Sequence, residues 1–144
     1  MSNDLDDPGA TVFTSSVNSQ FIISAKLERE QVRASGKETL LEVINNTELS
    51  EDAKAQAVSD MVAIADASEK EAAAELLLEA KGFENVIVSM TGGQVDVVVE
   101  ISELTDTNRA QIEDIVTRKT GCSIENLTIT SITPVSYTHL RAHE

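Results

Sequence analysis

Between Glu69 and Ile101 the spacing of apolar residues changes from a helical period to a strand period, and the strand period then repeats. Few folds satisfy that order in so short a stretch. Ala72, Ala73, Leu76, Leu77 and Ala80 fall three and four apart, the spacing of one helical stripe, and Gly82 stands where a left-handed helix terminus needs no Cβ. Phe83 is placed to fold back onto that stripe. Val86, Val88 and Met90 then alternate with Ile87, Thr91-Gly92-Gly93 makes a turn, and Val95, Val97, Val99 and Ile101 alternate strictly. The stretch predicts a helix followed by a β-hairpin with one core face. Ile87 and Val98 on the opposite side predict that this second face is partly covered as well.

The rest of the chain supplies more helices and one more strand. From about Val17, positions Phe21, Ala25, Glu28, Val32, Gly36, Leu40, Val43 and Ile44 recur three and four apart and predict a helix. Lys26, Glu28, Arg29, Glu30, Arg33, Lys37 and Glu38 form its expected exposed side. Asn45-Asn46-Thr47 ends it. Ser50 caps a second helix with Glu51 and Asp52 in the first turn, where carboxylates meet the positive helix end; its stripe is Ala53, Ala57, Met61, Ile64 and Ala65. Ser68 and Glu71 fit a capping box, so a fresh start there and one long helix with a possible kink are both open, the single helix being preferred. The short turn at Asn45 to Leu49 predicts an antiparallel helical hairpin. Beyond the β-hairpin, Thr105 caps a helix opened by Asp106, with Ala110, Ile112, Ile115 and Val116 inward and Gly121 as its stop. Asn126 to Ile132 alternates as a last strand, closed by Pro134.

The predicted fold class is therefore α+β: N-terminal helical segments, then α-β-β-α-β, with two helices on one face of a three-stranded mixed sheet. The hairpin strands should be antiparallel and the crossover pair parallel. Leu76, Val86, Val97, Val99, Ile112 and Ile115 are expected to meet in the core. By organisation, residues 1–16 read as a flexible acidic lead-in, 17–67 as the helical hairpin, 68–134 as the sheet domain and 135–144 as a tail. That tail, VSYTHLRAHE, breaks every earlier pattern and resembles the translation of a sequencing-library adapter, so it is set aside as non-native.

Charge and composition narrow the function. A formal net charge of -14, from 25 acidic and 11 basic residues, repels phosphate backbones and anionic lipid, which argues against nucleic-acid binding. No apolar run approaches the length of a membrane span, so the chain as it stands is expected to be soluble. Both histidines, His139 and His143, lie in the tail, leaving none for metal binding or acid–base chemistry. Cys122 and the serines and threonines then have no base to activate them, and no catalytic residue, metal ligand or cofactor site is expected. Asp4, Asp6 and Asp7 lack the spacing of a calcium loop, Gly92-Gly93 is a hairpin turn and not a phosphate loop, and the Asn-x-Thr triplets at Asn45 and Asn126 are attributed to chance. One feature stands out. Lys26, Arg29, Arg33 and Lys37 gather on the first helix as a positive ridge on an acidic body. It reads equally as a salt-bridged solvated face or as a contact face for an acidic neighbour, including another copy of the chain.

Three segments carry a family resemblance: FIISAKLEREQVRASGKETLLEVINN (Phe21 to Asn46), AAAELLLEAKGFENVIVSMTGGQVDVVVEI (Ala72 to Ile101) and LTDTNRAQIEDIVTRKTG (Leu104 to Gly121). With LEREQVR and LLEAKGF as the most specific words, they resemble the extracytoplasmic part of the stage III sporulation protein AH family of endospore-forming bacteria. The resemblance implies a ring-building motif at 68–134, similar to those of type III secretion and flagellar rings. It implies a non-catalytic channel component in the mother-cell membrane, facing the intermembrane space around the forespore. Its implied partners are stage II sporulation protein Q, other stage III sporulation channel proteins and further copies of itself. The family's N-terminal membrane helix is absent from this chain, and Met1 is read as a start inside a longer protein. A secretion or flagellar ring component and a small-molecule regulatory domain are the rival readings. The high negative charge predicts that isolated copies stay largely monomeric.

Overall fold

The computed structural model describes residues 17–134; the lead-in at 1–16 and the adapter-like tail at 135–144 lie outside the described residues. Helices α1 (Val17–Ile44) and α2 (Glu51–Ala80) precede strands β1 (Val86–Thr91) and β2 (Gln94–Glu100), helix α3 (Asp106–Thr120), a short 3-10 turn at Ile124–Asn126 and strand β3 (Leu127–Ile132). Local chemistry accounts for the breaks. The amide of Glu48 donates to Asn46 Oδ1 at 2.9 Å in the turn between the first two helices. Ser50 Oγ then caps α2 by accepting from Ala53 N at 3.1 Å. Thr105 and Asn108 form a reciprocal capping box at the start of α3, and Gly121 ends it in the left-handed region at φ 80°. Gly92 and Gly93, at φ 57° and 85°, make the hairpin turn that suits the twist of the flanking strands.

The sheet order is β1-β2-β3, with β1 and β2 antiparallel and β2 and β3 parallel, as predicted. Register aligns Val86 with Val99, Val88 with Val97 and Met90 with Val95 on one face. Ala74 and Leu78 of α2, Phe83, and Ile112, Ile115 and Val116 of α3 close over that face to form the core. Ile87 on the opposite face is also buried, and Val98 is half-buried. The two faces thus differ in kind but neither is wholly wet.

α2 is one unbroken helix of 30 residues, so the expected boundary at 67/68 falls inside it and the helical hairpin and the sheet domain share that helix. Three expectations about helix faces need correction. Leu76 is 70% exposed, and the buried stripe of α2 is instead Glu71, Ala74, Glu75 and Leu78. Ala110 of α3 is exposed. In α1, Phe21 and Val32 are more than half exposed while Ile22 is buried, so the expected stripe fails toward the start of the helix, whereas Ala25, Gly36, Leu40, Val43 and Ile44 are half-buried as expected. The common cause in α1 and α2 is that the inward faces carry charged residues. A search for apolar periodicity passes over these and settles on the neighbouring alanines and leucines.

Candidate interaction surface

The two outer edges of the sheet differ, and the difference arises from α1 and α2. The amide of Glu100 donates to Asn85 O at 2.9 Å, so Asn85, Ile87 and Ser89 turn their main-chain groups toward β2, and Val86, Val88 and Met90 turn theirs outward. Glu75 Oε2 accepts from Val88 N at 2.9 Å and Glu71 Oε2 from Met90 N at 2.7 Å. Arg29 Nη1 donates to Val88 O at 2.7 Å and Arg33 Nη2 to Met90 O at 3.4 Å. Side chains of two helices therefore present to β1 the alternating acceptors and donors that a neighbouring strand would present from its main chain. This edge is sealed against pairing.

The sealing groups also bind one another. Arg33 meets Glu71 through both terminal nitrogens, with Nη2 to Oε2 at 2.7 Å, and its Nη1 also donates to Ser68 Oγ at 3.2 Å. Arg29 Nη1 lies 3.0 Å from Glu75 Oε2 and 3.4 Å from Glu71 Oε1. Glu71 is 1% exposed, so its charge is tolerated only because two guanidiniums and an amide face it. The hydrogen bond to Glu71 outweighs the effect of burial and raises the pKa of Arg33 above its ordinary value, so its contribution to stability persists throughout the ordinary pH range. Arg29 Nε is a buried donor without a hydrogen bond, 3.6 Å from Glu30 Oε2.

The expected positive ridge is thus divided. Arg29 and Arg33 point inward and seal β1, contrary to the exposed position the sequence suggested for them. Lys26 is half-buried and lies 3.6 Å from both Glu75 and Glu79, and Lys37 is exposed. Sequence reading gave Glu71 only a capping role with Ser68 and gave Glu75 none. A signal for them exists: two arginines four apart on one helix and two glutamates four apart on the next nest about a single turn, Arg33 with Glu71 inside Arg29 with Glu75.

At the opposite edge, Ile101 N donates to Ile132 O at 3.0 Å, so Thr128, Thr130 and Ile132 face β2, and Leu127, Ile129 and Ser131 turn their main-chain groups outward. Among the described residues, nothing pairs with the outward groups of Ile129 and Ser131. A cleft of about 350 Å³ between α1, α2 and the hairpin turn is lined by Arg33, Ala63, Ile64, Ala67, Met90, Thr91 and Gly92. Its one charged lining group, the Arg33 guanidinium, is already held by Glu71. Polar groups do not converge there as a small-molecule site requires.

Comparison with known proteins places this architecture. A family described as SpoIIIAH-like protein matches residues 3–129. The chain belongs to the SpoIIIAH-like family. Stage III sporulation protein AH of Bacillus subtilis (strain 168) is 21% identical over 109 residues, which is 76% of this chain and 50% of that protein, so the chain spans about half the length of this SpoIIIAH relative. A solved structure titled as the SpoIIQ-SpoIIIAH pore forming complex contains a chain that superposes with a TM-score of 0.69 at 18% identity, covering 81% of this chain and 98% of that one. This superposition shows the shared SpoIIIAH fold, including the three-stranded mixed sheet carried by helices. Among the described residues no helix is long and apolar enough to cross a membrane.

Proposed function

We propose that this SpoIIIAH-like chain is a non-catalytic structural component of the channel between mother cell and forespore, facing the space around the forespore. It docks a SpoIIQ-type protein and takes its place beside further copies in a ring. Family membership and the likeness to a chain of a SpoIIQ-SpoIIIAH pore forming complex support this reading. The observation that carries it is the asymmetry of the sheet: β1 is sealed by Glu71, Glu75, Arg29 and Arg33, which leaves β3 as the edge free to gain a neighbouring strand.

Copies at a net charge of -14 repel one another, so lateral association requires a partner or a surface to set their spacing. Sedimentation velocity of residues 17–134 with the extracytoplasmic domain of the SpoIIQ protein from the same source tests both parts. The expected result is a monomer alone and a defined complex on mixing, weakened by Ile129→Pro, which removes an outward amide at the β3 edge. Absence of a complex, or a stable ring formed by the isolated fragment, would contradict the proposal.

A further inference from the structure

The open edge at β3 has two unlike sides, and together they describe the strand that fits it. Leu127 and Ile129 align with Val95 and Val97 and pack against the hydrophobic core, yet both stay half-buried because the sheet ends there. On the opposite face Thr128 and Thr130 are exposed, and they align with Asp96 and Val98 of β2. Strands β1, β2 and β3 contain two charged residues, Asp96 and Glu100, both acidic and both on this second face. Glu100 accepts a hydrogen bond from Asn85 Nδ2. Asp96 is exposed, and among the described residues no hydrogen bond or ion pair reaches its carboxylate. Asp is among the residues least suited to a strand interior, and this one stands between Val95 and the run Val97, Val98 and Val99. The fold of the free chain makes no use of it.

We propose that the segment joining β3 is a strand of a different protein with alternating character: apolar residues on the side of Leu127 and Ile129, and a Lys or Arg beside Thr128 that reaches over it to Asp96. This rests on the reading of β3 as the docking edge and adds the chemistry of what docks there. The outward main-chain groups of Ile129 and Ser131 require an extended backbone as their partner. Neighbouring strands lie about 4.8 Å apart, so the incoming residue beside Thr128 is about 10 Å from Asp96, a gap that the long side chain of Lys or Arg largely closes. Charge then selects the occupant. No strand of this sheet contains Lys or Arg, so a second copy that adds its own β3 here leaves Asp96 without a counter-charge. The net charge of -14 likewise favours a basic partner over another copy.

The test measures binding of the full chain to the extracytoplasmic domain of the SpoIIQ protein from the same source, by titration calorimetry at low and high salt. Asp96→Asn should weaken binding by about three- to fivefold at low salt and Asp96→Lys by about tenfold, both differences shrinking at high salt. Asp60→Asn, the same charge change at an exposed position of α2, should bind like the parent. Asp96→Thr should raise the melting temperature of the free chain and still weaken the complex, a split that a stabilising role for the carboxylate does not produce. If Ile129→Pro weakens the complex while the Asp96 variants bind like the parent, the docking edge stands and this inference is overturned. If the parent does not bind, or binds with indifference to Ile129→Pro, both fall. A chain that sediments as a dimer and becomes monomeric with Ile129→Pro would make a second copy the occupant and overturn it too.

Discussion

Replacing Glu71 by alanine removes three things at once: the fork for Arg33, a counter-charge for Arg29 and the acceptor for the amide of Met90. The orphaned Met90 N–H alone costs about 1–3 kcal/mol if no water replaces the carboxylate. Breaking the ion pair on one side leaves the Arg33 guanidinium without its counter-charge, while Arg29 keeps Glu75; Arg33 keeps 15% side-chain exposure and regains some hydration, which holds the total near the usual range of about 3–5 kcal/mol for a broken buried pair. That is a large share of a small domain's stability, and it lowers the melting temperature by roughly 10–20 °C. A second variant separates an ordinary ion pair from an edge seal. Arg33→Met with Glu71→Met discards both charges, which for a plain buried pair is neutral or stabilising. Here Met90 loses partners for both its N–H and its C=O, so the double variant should recover only part of the loss and remain about 1–3 kcal/mol below the parent. Urea denaturation of the three proteins gives these differences directly. A Glu71→Ala variant that unfolds at the parent's midpoint, or a double variant as stable as the parent, would refute the reasoning.

Other outcomes follow from the same geometry. Leu78→Ala, at a fully buried position, should cost about 2–5 kcal/mol in denaturant melts, while Leu76→Ala two residues away should stay within about 0.5 kcal/mol; equal costs would contradict the orientation of α2. Arg29→Glu with Arg33→Glu places like charges against Glu71 and Glu75, and circular dichroism should show the fold lost or its melting severely lowered, in contrast to Lys37→Glu at an exposed site, which should melt like the parent.

Most of the sheet was legible in the sequence because its residues obey one rule each. Val95, Val97 and Val99 alternate without interruption, Gly92 and Gly93 allow one kind of turn, and the order helix, strand, strand, helix, strand leaves little topological choice. Thr105, Ser50 and Gly121 mark helix ends by chemistry that needs no tertiary partner. Orientation of the long helices was not legible in the same way. Ala and Leu occur on both sides of α2, and the inward position of Glu71 and Glu75 depends on Arg29, Arg33 and the edge of β1, all distant in the chain. The same residues that obscured the helix face obscured the site. Arginines on an acidic chain suggest an exposed ridge until the glutamates that neutralise them are placed.

Amide hydrogen exchange by NMR on residues 17–134, free and with the SpoIIQ-type domain, measures both edges of the sheet at once. The amides of Val88 and Met90 should exchange slowly in both states, since side chains already hold them. Those of Ile129 and Ser131 should exchange fast in the free protein and become protected in the complex. Val88 and Met90 exchanging as fast as Ile129, or Ile129 and Ser131 remaining unprotected in a complex that demonstrably forms, would contradict the account of one sealed and one receptive edge.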